Sequence, residues 1–218
     1  MGTPSFAVPI LKALHKKKYL ISATYTQPPQ KSQRGQRYNK SPIHVISEEL
    51  NIECRTPRIL KGNNEEFNFF KKLDVDIVIV VAYGQIIPND FLDLSKKGFI
   101  NIHASLLPKW RGAAPIQRSI INLEKETGIS IMKIGEKLDT GPVCNSYKID
   151  IKENDNAETI STKLSILASE KISENIDGIL DDTVRFKEQD HNNATYASKI
   201  KKSEGEIKWS DNAENIIG

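Results

Sequence analysis

Short runs rich in Val and Ile recur between segments of helical spacing, and that alternation limits the possible folds more than any other feature of the chain. Residues 19–26, 76–83, 98–103 and 128–134 are runs of strand length with many β-branched side chains, and residues 147–151 form a weaker one. Runs that are apolar throughout suit strands covered on both faces. Between them, residues 6–17, 43–50, 64–73, 89–96 and 114–123 space their apolar side chains as helices do. A longer helix is expected to begin near Asp155, where Asp155 and Glu158 have the spacing of a capping box. Ile160, Leu164, Leu167, Ile172, Ile176 and Ile179 mark its apolar face, and Gly178 lies near its expected end. Strands that alternate with helices in this way predict an α/β domain with a mostly parallel central sheet and helices on both faces.

The bulk properties agree with one sizeable domain followed by a tail. The chain has 218 residues, 38% hydrophobic and 27% charged, as a globular protein has and a disordered one does not. Its longest apolar run, residues 77–83, is too short to cross a bilayer, and the start lacks a secretory layout, so no membrane association and a cytoplasmic location are expected. Cys54 and Cys144 lie too far apart in sequence to suggest a zinc knuckle, and two cysteines make no disulfide framework. Charge is unevenly spread. Residues 1–47 hold eight Lys or Arg and no Asp or Glu, whereas the remainder is net acidic, so the first part carries a positive field suited to phosphates.

Both ends read as interrupted. Gly2-Thr3-Pro4 has the pattern of a strand-to-helix turn, with Thr3 as N-cap and Pro4 at the first helical position, yet only Met1 precedes it. After about residue 190 the chain turns polar, and residues 199–208 are crowded with charge. The expected division is therefore one α/β domain over 1–190, its first strand missing, and a linker over 191–218 leading elsewhere.

Open α/β sheets bind ligands beyond the carboxyl ends of their strands, and two polar groups of residues fall there. Asn101 and His103, at the exit of the 98–103 run, project from one face because strand side chains alternate. An amide donor beside an imidazole supplies the two needs of acyl transfer, oxyanion stabilisation and proton handling. Asp139, in Leu138-Asp139-Thr140-Gly141, places a carboxylate in a turn. Each has a plainer reading: a histidine near a strand end is often a hydrogen-bonded structural residue, and Asp-Thr-Gly is often only a turn. An aspartic protease needs two such carboxylates in all-β surroundings. A metal site is not expected, because His15, His44 and His191 have no ligand-like spacing with His103.

Residues 101–117, NIHASLLPKWRGAAPIQ, resemble the signature of the folate-dependent formyltransferases, Asn-x-His-x-Ser-Leu-Leu-Pro, with an Asp-x-Gly turn about thirty residues later. Ala113 to Gln117, Gly2 to Ala7, Thr26-Gln27-Pro28, Val81 to Gly84 and Ile207 to Ser210 are similar to the branch of that family acting on methionyl-tRNA. The resemblance implies a Rossmann-like domain that moves a formyl group from 10-formyltetrahydrofolate to the amino group of methionyl initiator tRNA, for translation initiation. It also makes 1–190 the catalytic domain, with the linker over 191–218 leading to a C-terminal β-barrel domain. It makes Asn101 a donor to the formyl oxygen, His103 a stabiliser of the tetrahedral intermediate, and Asp139 the group that orients His103 and helps deprotonate the amine. Folate is expected against Tyr83, Gly84, Gln85, Ile86 and Ile87 and beside Ser105, Leu106, Leu107 and Pro108, with no metal and a monomeric enzyme.

Residues 27–42 form a long basic loop containing Lys31, Arg34, Arg37 and Lys40. It reads equally as a solvated surface loop, but long loops in compact α/β units are often functional. The resemblance makes these four residues contacts for the tRNA, with Arg34 in the place of the family's arginine. Three rivals use the same residues differently: a formyltransferase acting on an amino sugar nucleotide, a formyl-folate hydrolase, and a non-catalytic RNA-binding fragment.

Overall fold

The structure, a computed structural model, describes residues 1–31, 38–207, 209, 210 and 212, with the side chain of Lys31 left out. Two compact units emerge, residues 1–101 with 168–184, and residues 102–167 with 185–218.

The first unit contains helix α1 (Val8–Lys16), strands β1 (Thr24–Tyr25), β2 (Gln30–Lys31) and β3 (Tyr38–Asn39), then α2 (Pro42–Glu49) and β4 (Cys54–Arg55). It continues with α3 (Asn64–Lys72), β5 (Val78–Val80), α4 (Asn89–Leu92) and most of β6 (Phe99–His103). Pairing is parallel between β1 and β4, with Thr24 opposite Cys54, and between β5 and β6, with Val78 opposite Phe99. Among the described residues of this unit, β2 and β3 pair antiparallel. Helix starts follow local chemistry: Ser41 Oγ accepts the His44 N–H at 3.1 Å above α2, and Asn63 accepts the Glu66 N–H at 3.2 Å above α3. The core centres on Phe70, whose ring lies 5.8 Å from Tyr25, 5.6 Å from Phe91 and 5.8 Å from Phe99.

The turn at the start differs from expectation. Pro4, not Thr3, is the N-cap, and it leads into a single 3-10 turn, Ser5–Ala7, before α1. The Thr3 hydroxyl is engaged elsewhere: it donates to the Tyr83 carbonyl at 2.8 Å and accepts the Gln27 N–H at 3.3 Å. Met1 and Gly2 lie between β1 and β5, since Gly2 N–H donates to Tyr25 O and Val81 N–H to Met1 O, both at 2.8 Å. Beside them an apolar cavity of about 340 Å³ is lined by Ile10, Leu14, Ile21, Phe70, Ile77 and Ile176.

The second unit holds β7 (Arg111–Gly112), α5 (Pro115–Ile121), β8 (Glu126–Lys133), β9 (Val143–Asp150), the first part of α6 (Ala157–Leu180), and β10 (Tyr196–Ala197). The 147–151 run, expected to be weak, is the end of the eight-residue β9, which pairs antiparallel with β8 from Glu126–Asp150 to Met132–Val143. Gly128 permits this approach, because a Cβ there would stand 2.2 Å from Tyr147 O. β7 and β10 pair in parallel.

Helix α6 is capped one residue later than its sequence suggested. Asn156 Oδ1 accepts the N–H groups of Glu158 and Thr159, while Asp155 accepts Lys152 N–H and pairs with Lys163 Nζ at 2.6 Å. Its buried stripe runs through Ile160, Leu164, Ala168, Ile172, Ile176 and Ile179, so Ala168 takes the place expected for Leu167. Among the described residues no helix is long and apolar enough to cross a membrane.

Candidate active site

His103 and Asp139 come together at the end of β6. His103 is its last residue and is 6% exposed. Its Nε2 lies 2.8 Å from the Trp110 carbonyl, which can only accept, so this nitrogen carries a proton and donates. Nδ1 faces Asp139 Oδ2 at 3.7 Å. In the neutral ring Nδ1 is therefore the unprotonated nitrogen, and a proton arriving there meets a carboxylate already in place. The arrangement offers an acceptor to each ring nitrogen, which suits a histidine that gains and releases a proton during a reaction cycle.

The Asp139 carboxylate is held in place from two directions. Its backbone adopts φ +50°, in the left-handed region, within the turn that connects β8 to β9. Its Oδ2 accepts the Gly112 N–H at 2.8 Å. Gly112 itself has φ +119°, and a Cβ there would lie 2.8 Å from Ala197 O, so only glycine delivers this N–H without strain.

The segment between His103 and Gly112 is fixed by a small hydroxyl network. Ser105 Oγ donates to Lys109 O at 2.6 Å, Ser130 Oγ donates to Ser105 O at 2.8 Å, and Leu107 N–H donates to Ser130 Oγ at 3.0 Å. The expected wall residues Ser105, Leu106, Leu107 and Pro108 thus form an ordered piece of the second unit, with a cis Leu107–Pro108 peptide. Asn101 stands two residues before His103 in β6, half-buried and opposite Val80 of β5.

In the first unit, Tyr83 to Ile87 form a bent loop, with Ala82 at φ +46° and Gly84 at φ +82°. The Tyr83 carbonyl accepts from Thr3 and Gln27, and Gln85 Nε2 donates to Pro57 O at 2.8 Å. Ile86 is 90% exposed, an apolar side chain presented to solvent by an otherwise anchored loop. Of the basic-loop residues, Arg34 and Arg37 lie outside the described residues, and of Lys31 only the backbone is described, in β2. Lys40 is engaged by Glu48, Nζ to Oε2 at 2.7 Å, which tempers its charge.

Sequence reasoning missed three contributors to the site: Trp110, Gly112 and Gln189. The first two act through backbone groups, which no side-chain pattern announces. Gln189 Nε2 donates to Asp139 O at 3.0 Å and Gly141 O at 2.7 Å, a contact spanning 50 positions.

Residues 1–176 match the formyl transferase family. Over its full length the chain is 74% identical to a methionyl-tRNA formyltransferase of Pelagibacter ubique, of which it covers 70%. It is 42% identical over 99% of its length to the enzyme of the same name from Brucella ovis, covering 71% of that protein. Among solved structures, the fold is similar to an N-formyltransferase from Helicobacter canadensis crystallised with folinic acid and dTDP-3-aminofucose. The TM-score is 0.75 at 21% identity, over 99% of this chain and 76% of the other. It is also similar to a phosphoribosylglycinamide formyltransferase from Anaplasma phagocytophilum, with a TM-score of 0.68 at 19% identity, over 84% of this chain and 85% of that one.

Proposed function

The chain belongs to the formyl transferase family, and we propose that it transfers the formyl group of 10-formyltetrahydrofolate to the amino group of methionyl initiator tRNA. The observation that carries this reading is the pairing of His103 with Asp139, Nδ1 to Oδ2 at 3.7 Å, around a ring whose other nitrogen is already committed to Trp110.

The folate is a substrate that brings the formyl carbon in activated form, bound as an amide at N10. Asn101 donates to the formyl oxygen as the incoming amine adds to the carbonyl carbon and negative charge collects on that oxygen. His103 stabilises the same charge. Asp139 accepts, directly or through water, the proton that the amine must lose. When the carbon–N10 bond breaks, the site returns a proton to N10, leaving formyl-methionyl-tRNA and tetrahydrofolate. Residues 83–87 and residues 105–108 are the assigned folate contacts, each within its own unit: Ile86 is an exposed apolar side chain in the first, and Leu106 to Pro108 are half-buried in the second. Lys31, Arg34, Arg37 and Lys40 contact the tRNA, because their charge suits phosphates. In this reading residues 1–190 are the catalytic domain, residues 191–218 connect onward, and the enzyme works in the cytoplasm as a monomer.

The test is transfer of labelled formyl from 10-formyltetrahydrofolate to methionyl initiator tRNA, with an amino sugar nucleotide and water as competing acceptors. Label on the tRNA that falls at least a hundredfold in Asn101→Ala is the expected result. A folded chain that formylates the sugar nucleotide, or releases formate, in preference to the tRNA overturns it.

A further inference from the structure

Arg111 is almost completely buried, 2% exposed, although it bears a permanent charge. Burying a guanidinium is costly unless its N–H groups find partners. Here Nε and Nη2 donate to Gln189 Oε1 at 3.0 and 2.7 Å, and Nη2 also donates to His191 Nδ1 at 2.9 Å. A guanidinium has only donors, so the amide atom facing it must be the oxygen, and the orientation of the Gln189 amide is thereby fixed.

With Oε1 held by Arg111, Gln189 Nε2 must point the other way, where it donates to the carbonyls of Asp139 and Gly141. These carbonyls flank Thr140 in the turn whose backbone is left-handed at Asp139. The turn is packed tightly as well, since a Cβ on Gly141 would lie 2.0 Å from Lys133 O. Meanwhile the Asp139 carboxylate is taken by Gly112, the residue next to Arg111. Backbone and side chain of Asp139 are therefore both referenced to the dipeptide Arg111-Gly112, the backbone through Gln189 and the carboxylate directly.

The geometry points to Gln189 as a positioning residue for the reaction: oriented by Arg111, it clamps the strained turn that aims the Asp139 carboxylate at His103. This rests on the reading above, in which Asp139 manages the proton of the attacking amine. Partners that orient metal-binding side chains are worth ~10–100-fold in activity, and misplacement of a reacting group by about 1 Å costs ~100-fold, so an effect of the same order is expected here.

Gln189→Glu is the informative variant, because it keeps an acceptor for Arg111 and the same size but removes both donors to the turn. Formyl transfer is measured for the parent, Gln189→Glu, Asp139→Asn and the double variant. The expected result is kcat lower by ~10–100-fold in Gln189→Glu with KM values within about threefold, and a double variant no slower than Asp139→Asn alone, since Gln189 then has nothing left to aim. Should the new carboxylate, set against two carbonyls, prevent folding, Gln189→Met removes the donors without adding charge and carries the same expectation. Unchanged kcat in a folded Gln189 variant, or losses that multiply in the double variant, overturn the positioning role while leaving the proposed reaction intact. An Asp139→Asn variant with full activity overturns the positioning role together with the part given to Asp139 in the proton transfer, whereas absence of formyl transfer in the folded parent overturns the proposed reaction.

Discussion

At the scale of single residues, the site depends on backbone groups as much as on side chains. Gly112 shows why: its N–H anchors Asp139 Oδ2, and its φ of +119° lies where a side chain is strained. Gly112→Ala is expected to cost about 1–3 kcal/mol of stability and to lower kcat with it, because the new Cβ meets Ala197 O and the N–H must shift. Urea unfolding checks the first part, and a midpoint equal to the parent's would contradict it. Asn101, His103 and Asp139 could be picked out as candidates in the sequence because they stand in a recognisable spacing, and the structure brings His103 and Asp139 together. Trp110 and Gln189 were not, since a carbonyl acceptor looks the same in every residue and a lone glutamine has no local pattern.

At the scale of elements, periodicity located helices and strands well and their ends less well. The run at 19–26 is extended only at Thr24–Tyr25 by its hydrogen bonds, because pairing needs a partner and β4 supplies just two residues. The helix expected over 89–96 stops at Leu92. Beyond it, Lys96 N–H and Lys97 N–H turn to the carbonyls of Val75 and Asp76, and Ser95 Oγ joins them, a tertiary contact that helical spacing cannot reveal. In α6 the apolar stripe was legible, but two neighbouring isoleucines divide differently: Ile172 is fully buried and Ile166 is 51% exposed. Ile172→Ala should therefore destabilise by about 2–5 kcal/mol, and Ile166→Ala by no more than about 0.5 kcal/mol. Thermal or urea denaturation of the pair measures the contrast, and equal losses would show that the helix packs by another face.

At the scale of the whole molecule, stability should fall on both sides of neutrality. The Lys163 ammonium holds the Asp155 carboxyl down to about 2, and the Arg118 guanidinium does the same for Glu204. A depressed carboxylate stabilises the fold above its unfolded value, near 4, and that contribution disappears as pH falls toward 2. On the alkaline side, burial pushes the Cys144 thiol up to about 11 from 9.0, so the folded state keeps its proton longer than the unfolded chain. That preference is fully present below pH 9 and is lost as pH rises through 11. Unfolding midpoints followed from pH 2 to 11 should trace a plateau with two shoulders. A monotonic rise to pH 11 would refute the alkaline one, and ionic strength should erode mainly the acidic one, whose ion pairs each keep one partner in solvent.

The order in which the first unit is assembled has a consequence for its synthesis. Residues 1–101 are joined in that unit by residues 168–184, which bring Ile172 and Ile176 to its core, a carbonyl at Ser173 for Lys17 and a carboxylate at Asp177 for Tyr19. A ribosome makes the whole intervening stretch before it delivers that piece, a delay on the order of ten seconds at ordinary elongation rates. During that interval residues 1–101 lack the Ile176 side chain that shares a cavity wall with Ile10 and Leu14. The last turns of α6 thus complete the first unit's core only after the second unit's intervening residues have been made.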